Sequence, residues 1–497
     1  MNKDTSPAPR PGLVRALGPL MATAVVVGCT IGSGVFKKPQ AVAQVVPDYW
    51  TAALAWVLVG LLALLGGLSV AEVAVLYPRA GGPYVFLREA YGRLTGFLYG
   101  WVEFWIIRSA SIAALATIFS ESLFNVLREP ALAGRLGYAP DAAALGPANE
   151  KYMTLAVIVG LALVNVRGVK WGGVLQLFIT LVKVGSLLGI MALPFLFAPD
   201  PSPWPPVAPD TIRTDSFTLG GFASALLAVL WAYHGWMNGA TVAGEVKDPH
   251  RNVPISLIGG VAIIIALYLG ANCAYAWVIP QEQMAGVVDM PVATLFSVRL
   301  LGSVGVVVMS LVVMCSVFGA LNGNILVGPR VLYAMGEDRL APEALGRVHR
   351  RYHTPAVAIL VLTGWSCLLV VAVAGLTTVR LPTFALLGRT IDLNLPPGKA
   401  AFDVLTDFAM FGVVIFETMA VVSIFVFRRR YPKAERPYRC WGYPVTPALY
   451  VVLPALILGN YFVNQRLEAL SAVAIILVGA AVYAGWLRQP AAPESTV

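Results

Sequence analysis

Three glycines, at 28, 32 and 34, interrupt the apolar run PLMATAVVVGCTIGSGVFKKPQ (19–40), with Thr30 and Ser33 between them. A helix that crosses lipid must satisfy its own backbone, because each unpaired N–H or C=O there costs several kcal/mol. Each glycine also weakens a helix by about 1 kcal/mol relative to alanine. Two readings fit: a close-packing face of small residues, or a helix built to open. If it opens at Gly32-Ser33-Gly34, its first half ends in unpaired carbonyls near Cys29, Thr30 and Ile31. Its second half then begins with free N–H groups from Ser33 to Phe36. Amide groups at a helix start hold a carboxylate, and carbonyls at a helix end hold an ammonium. An α-amino acid carries both.

A second interruption stands in LAVLWAYHGWMNGATVAGEVKDPHRNVP (227–254), where His234-Gly235 falls at a similar depth in its own apolar run. Each interrupted run is the first of five. Paired breaks in corresponding halves point to an inverted repeat with a binding site near the membrane midplane. That pairing favours the opened helix over the packing face.

Six more side chains could act there. Lys183 lies in LQLFITLVKVGSLLGIMALPFLF with no other charge within ten residues. A lysine that deep costs at least ~2.5–3.5 kcal/mol and faces a cavity or a partner. Its ammonium could replace a metal cation on the opened carbonyls of helix 1, an arrangement that needs no sodium. Arg108 is the other intramembrane cation, with Glu103 and Glu121 on its own helix, and fits either a carboxylate pair or a functional role. His234 fits a proton carrier, a plug that narrows the pocket, or a ring hydrogen-bonded to a neighbouring helix. Trp231 and Trp236 flank it, one of them a candidate lid, and Tyr268 needs a partner for its hydroxyl in a dry bundle. Glu72 and Arg79 are expected in an inner gate or facing headgroups.

The composition supports this setting. The chain has 497 residues, 58% hydrophobic and 12% charged, about half the charge of soluble domains. Apolar runs long enough to cross a ~30 Å hydrocarbon core recur from end to end. They fall near 18–45, 51–77, 95–126, 152–166, 172–198, 218–246, 254–279, 302–334, 355–375, 402–427, 444–464 and 467–487. With the N-terminus inside, most Lys and Arg fall on cytoplasmic segments, so the positive-inside rule accounts for the net charge of +9. Nucleic acid is not needed to explain it. The expectation is an all-α membrane protein of twelve transmembrane helices with helices 1 and 6 discontinuous, multi-pass in the plasma (cell inner) membrane, both termini cytoplasmic. It divides into a tail (1–17), a first repeat of helices 1–5 (18–198), an outer loop (199–217), a second repeat of helices 6–10 (218–427), a basic inner loop (428–443), helices 11–12 (444–487) and a C-terminal tail (488–497). The stretch 279–302 reads as a surface helix over an outer vestibule. The five cysteines (Cys29, Cys273, Cys315, Cys367, Cys440) form neither a disulfide framework nor metal-ligand spacing. No cofactor or metal is expected, and no cluster at one depth suits an enzyme.

Seven stretches, in order from about Leu17 to Trp486, resemble one family: IGSGVF, AEVAVLYPRAGGPYVFLREAYG, VEFWIIRSASIA, NVRGVKWGGVLQLFITLVK, WAYHGW with EVKDPHRNVP, SVFGALNGNILVGPRVLYAMGEDRLAP and RRRYPKAERPYRCWGYPVTPALY. The chain resembles the amino acid–polyamine–organocation superfamily, most closely its L-type amino-acid transporter branch. The resemblance implies the leucine-transporter fold, a 5+5 inverted repeat plus two helices, working by alternating access. It implies substrate carboxylate on the backbone of Gly32, Ser33 and Gly34, beside Ile31. The amino group would meet carbonyls near Trp231, Ala232, His234 and Gly235, with Trp231 as gate, Lys183 in place of sodium and Tyr268 beside it. His234 stands where the family usually has a small residue or Asp, and Trp231 where Phe is commoner; both shrink or polarise the pocket. Ser109 replaces a usual Pro. Residues 127–151 lack the cysteine that bonds an ancillary subunit in animal members, so no disulfide-linked heavy chain is expected.

The function expected is sodium-independent exchange of neutral, small L-amino acids. A proton-coupled symporter is the first alternative. A carrier of cationic amino acids or polyamines is the second; it needs acidic residues at the site, and Glu103, Glu121 and Glu417 are not expected beside the breaks.

Overall fold

The computed structural model describes residues 13–136, 144–197, 217–287, 290–376, 384–386, 389–391, 401–464 and 466–487. The tails expected at 1–17 and 488–497 and the loop at 199–217 lie outside the described residues, except 13–17 and 217.

The first apolar run is two helices, α1 (Pro19–Thr30) and α2 (Gly34–Val45). Pro19 opens α1, where a missing N–H costs nothing; Ile31 turns extended (φ −73°, ψ 93°) and ends it. α3 (Tyr49–Leu76) starts on Asp48, whose carboxylate accepts from the Thr51 amide at 2.9 Å. α4 (Pro83–Tyr91) and α5 (Arg93–Val102) follow. A π-turn at Glu103–Ile107 joins α5 to α6 (Arg108–Arg128), and α7 (Pro130–Leu136), α8 (Pro147–Val166) and α9 (Val169–Phe197) complete the first half.

The second half begins the same way. α10 (Leu219–Tyr233) stops at His234, a turn covers 234–237, and α11 (Asn238–Thr241) is a single turn. α12 (Pro249–Val278), α13 (Gln281–Ala285) and α14 (Val292–Leu301) come next, then α15 (Val304–Val327), α16 (Pro329–Glu337) and α17 (Ala356–Leu376). The stretch expected as one surface helix is thus α13 and α14, and Val292, Ala293 and Phe296 of α14 are buried. One short antiparallel hairpin, β1 (Phe384–Leu386) with β2 (Arg389–Ile391), stands in the otherwise helical chain. Phe384, Thr390 and Ile391 are residue types that favour strands. α18 (Ala401–Arg430), α19 (Val445–Asn464) and α20 (Arg466–Val482) follow.

Among the described residues, eight helical stretches are long and apolar enough to cross a membrane, and three shorter apolar helices accompany them. Outward faces agree with lipid contact: Leu163 of α8 and Trp171, Phe178 and Leu181 of α9 are exposed. The two halves interlock. α1 packs on α12 and α10 on α3, while α3 packs on α12, α6 on α15 and α8 on α17.

Several charges buried in this bundle are paired across elements. The segment before α1 pairs with the one after α11: Leu17 N–H donates to Glu245 O and Lys247 N–H to Leu17 O, both 2.9 Å. Beneath that bridge Arg330 Nε donates to the Glu245 carboxylate at 2.8 Å, and both side chains are fully buried. Glu72, near the end of α3, is neither exposed nor facing headgroups. It accepts from Arg428 at 2.9 and 2.7 Å and from the Cys440 amide at 2.7 Å, and lies 3.1 Å from Arg436 Nε. That tie fixes the 428–443 segment to α3.

Removing one partner of a buried pair strands the other charge and costs about 3–5 kcal/mol, whereas replacing both with apolar residues is often neutral. Arg330→Met should therefore lower the melting temperature of the detergent-solubilised protein sharply. The double variant Arg330→Met/Glu245→Leu should recover most of that loss in the same melt.

Candidate functional site

Opening a helix at residues 31–33 frees carbonyls that lipid cannot satisfy. Here α9, α12 and α15 supply the donors. Lys183 Nζ, on α9 and 2% exposed, donates to Gly28 O at 2.7 Å and Ile31 O at 2.5 Å. Tyr268 of α12 places its hydroxyl 3.1 Å from Thr30 O and 2.8 Å from Ala232 O, so one side chain touches the carbonyls of both breaks. Ser316 of α15 donates to Gly32 O at 3.0 Å.

The amide side of the break is less committed. Of the N–H groups expected to be free from Ser33 to Phe36, that of Phe36 donates to Ser33 O at 3.2 Å, and those ahead of it lie beyond the reach of the helix's own carbonyls. Ser33 Oγ, on a residue 1% exposed, has no partner among the described residues. Two glycines are needed for geometry. A Cβ on Gly34 would stand 2.5 Å from Ala232 Cα, so the start of α2 rests directly on the last turn of α10. Gly235 has φ +111°, which turns the chain from α10 toward α11 and which only glycine adopts freely.

Between the breaks lies a small cavity. Gly32, Ser33, Gly34, Trp231, His234 and Gly235 line it, with Cys29, Thr30, Ser111, Leu115, Asn238, Ala320 and Asn324. Ile31, Ala232, Tyr268 and Lys183 do not line it. They lie behind it, Ile31 and Ala232 offering carbonyls to Tyr268 and Lys183. Trp231 faces the cavity and stacks on His234 (centroids 6.2 Å apart, planes at 27°), whereas Trp236 lines a different one.

Sequence reasoning missed a polar network beside the cavity. Arg108, 3% exposed, donates through Nε to Glu103 at 2.7 Å and through Nη1 to Asn324 Oδ1 at 2.6 Å. Its Nη2 donates to Glu103 and, at 3.1 Å, to Asn238 Oδ1. The π-turn makes the pair possible, since its i→i+5 spacing brings residues five apart together. Ser109, in the place of the family's proline, donates to Phe104 O, also five back, at 2.5 Å.

The acidic residues need a correction. The sequence was read as placing none beside the breaks, yet His234 Nδ1 lies 3.2 Å from Glu417 Oε1 of α18. Glu103 reaches the second break through Arg108 and Asn238. Glu121 alone stays away, 3.7 Å from Lys37 of α2. Hydropathy places a residue at a depth but not at an angle around its helix, so convergence from α6, α15 and α18 left no signal. His234 both lines the cavity and bonds a neighbouring helix.

A model of the amino acid permease family matches residues 17–483. The chain is 31% identical over 485 residues to the serine/threonine exchanger SteT of Bacillus subtilis (strain 168), across 97% of this chain and 98% of that protein. It is 26% identical over 453 residues to the human cystine/glutamate transporter, across 88% of this chain and 79% of that one. To the human b(0,+)-type amino acid transporter 1 it is 25% identical over 492 residues, across 97% and 91%. The chain belongs to the amino acid permease family, within the amino acid–polyamine–organocation superfamily; it is a membrane transporter and not an enzyme.

The two glycines at the first break should differ. A Cβ on Gly32 would meet only ordinary contacts, at 3.4 Å from Leu115 and 3.6 Å from Ala320. Overpacking of the kind Gly34→Ala creates costs about 1–3 kcal/mol. Gly34→Ala is therefore expected to lower the melting temperature clearly, and Gly32→Ala much less, in a side-by-side thermal melt.

Proposed function

We propose that this permease exchanges small neutral L-amino acids by alternating access without sodium, as a twelve-helix leucine-transporter fold of the L-type branch. The observation that carries it is the Lys183 ammonium on the Gly28 and Ile31 carbonyls. A cationic side chain of the protein already occupies the carbonyl side of the opened helix, where a metal cation would otherwise serve.

The carboxylate of the substrate sits on the N–H groups of Gly32, Ser33 and Gly34, at the positive end of α2. The unpartnered Ser33 hydroxyl adds a donor. The ammonium lies toward the carbonyl end of α10 near Trp231 and His234, across the turn at Gly235. Ile31 and Ala232 shape that backbone from behind, with Tyr268 as the clamp between the breaks. Trp231 covers the substrate, and the narrow cavity between the breaks favours a small side chain. The printed name of the Bacillus relative, a serine/threonine exchanger, fits both exchange and a small substrate.

The matched helix pairs support a 5+5 repeat: α1 with α12, α10 with α3, and the pairings of α3, α6 and α8 with α12, α15 and α17. The inverted sense and the twelve spans rest on the hydropathy and on both breaks being first in their half. The basic 428–443 segment then lies at the cytoplasmic face of the cell's inner membrane, with both termini on that side. Without a cysteine in 127–151, the protein works without a disulfide-linked heavy chain.

Uptake of labelled L-alanine into proteoliposomes in sodium-free buffer tests this. Vesicles preloaded with unlabelled alanine should take up label, and empty vesicles should not concentrate it; a sodium gradient that drives accumulation into empty vesicles would overturn the reading. Lys183→Ala strips two carbonyls of charge-assisted bonds worth ~1.5–3 kcal/mol each. Exchange in that variant should fall about tenfold or more, and wild-type rates would remove Lys183 from the cation role.

A further inference from the structure

His234 lines three cavities: the one between the breaks, the one beside Arg108, and one between α3, α10, α18 and α19. Glu417 lines the second and third, with its Oε1 3.2 Å from His234 Nδ1; the two side chains are 15% and 14% exposed. The break cavity and the cavity beside Arg108 share His234, Gly235 and Asn238, so the pair stands where a substrate's side chain would extend.

The charges around the pair do not cancel. Facing it are Tyr99 of α5, Glu103 of the π-turn, Arg108 of α6, Tyr233 of α10 and Tyr450 of α19, with Cys29 of α1 across the break cavity. α3, α4 and α11 bring no charged or titratable group to these cavities. Glu103 and Arg108 are matched to each other. Among the described residues Glu417 has His234 as its one ion-pair partner, so with a neutral imidazole the region carries one negative charge. A dry interior penalises such a charge strongly unless it is paired.

Resting on the transport reading, we propose that His234 and Glu417 form the side-chain subsite, where a proton and a cationic side chain replace each other. A neutral amino acid binds with one proton on the imidazole, which donates through Nδ1 to Glu417 and gives the proton back to water on release. An amino acid with an ammonium side chain brings its own positive charge to Glu417 and binds without that proton. Each form carries the same total charge, so exchanging one for the other moves a proton but no net charge.

An isosteric pair of competitors tests this, L-homoserine and L-2,4-diaminobutyrate, which differ by a hydroxyl against an ammonium. Each competes with labelled L-alanine for exchange, at about pH 5.5 and about pH 7.5, inside the range where histidine changes charge. Effects on Lys183, Cys29 and the α-groups bear on both competitors alike and largely cancel in the ratio of their inhibition constants. The ratio should shift toward diaminobutyrate as pH rises, by about tenfold or more for a full charge a few ångströms away. Glu417→Gln should favour homoserine at both pH values, and His234→Gln should favour diaminobutyrate at both. A wild-type ratio that ignores pH, or two variants that shift it the same way, overturns the proposal while leaving alanine exchange standing. Failure of wild-type alanine exchange would instead remove the transport reading, and this one with it.

Discussion

The ammonium of Lys183, 2.7 Å from Gly28 O and 2.5 Å from Ile31 O, answers the constraint under which the whole bundle is organised: polar backbone groups freed inside a membrane need partners from the protein. Tyr268 and Ser316 extend the same service to Thr30, Ala232 and Gly32. The break is thereby divided. Its carbonyl face is occupied by donors, one of them the Lys183 side chain, while its amide face and Ser33 Oγ are left for something else. The local field is positive on both counts, from the lysine and from the start of α2. An opened helix of this build has a polarity, one that suits an anionic group.

The other buried charges are likewise paired, and each pair ties together elements distant in the chain. Glu103 and Arg108 hold Asn324 and Asn238, joining α6 to α15 and α11. Glu245 and Arg330 pin the end of the second break to α16. Glu72 gathers Arg428, Arg436 and the Cys440 amide against α3. Such pairs add little net stability over apolar packing, but they are costly to half-remove. What they fix is which helices stay together.

The breaks were legible because glycine and hydropathy are local signals. Gly32-Ser33-Gly34 and His234-Gly235 announce weakened helix at a depth where helix is otherwise obligatory, and a lone lysine deep in an apolar run announces a partner. The pairing of Arg108 with Asn324, and of His234 with Glu417, depends on the rotation of separate helices about their axes. Nothing in one strand of sequence records that angle. The π-turn was equally silent: the hydrophobic pattern of EFWII is continuous, and the extra residue shows only in which side chains meet. Even at the breaks, the sequence grouped Ile31, Ala232 and Tyr268 with the substrate-binding residues, because it cannot separate a residue in front of the backbone from one behind it.

That π-turn also works as a phase shifter. Before and around it, the helix directs Trp101 to Ile475 O of α20 at 3.2 Å and sets Trp105 against Trp365 of α17 with ring centroids 4.6 Å apart. After it, Arg108, Ser111 and Leu115 turn to the breaks. One added residue rotates everything beyond it by the ~100° of one helical step relative to a regular helix. The same helix can thus keep an aromatic seam on its outer neighbours while its lower half faces the cavity. Wound as regular helix at its present length, the segment 103–107 would keep its hydropathy, yet everything beyond it would turn by about 100° and Arg108 would face the wrong neighbours.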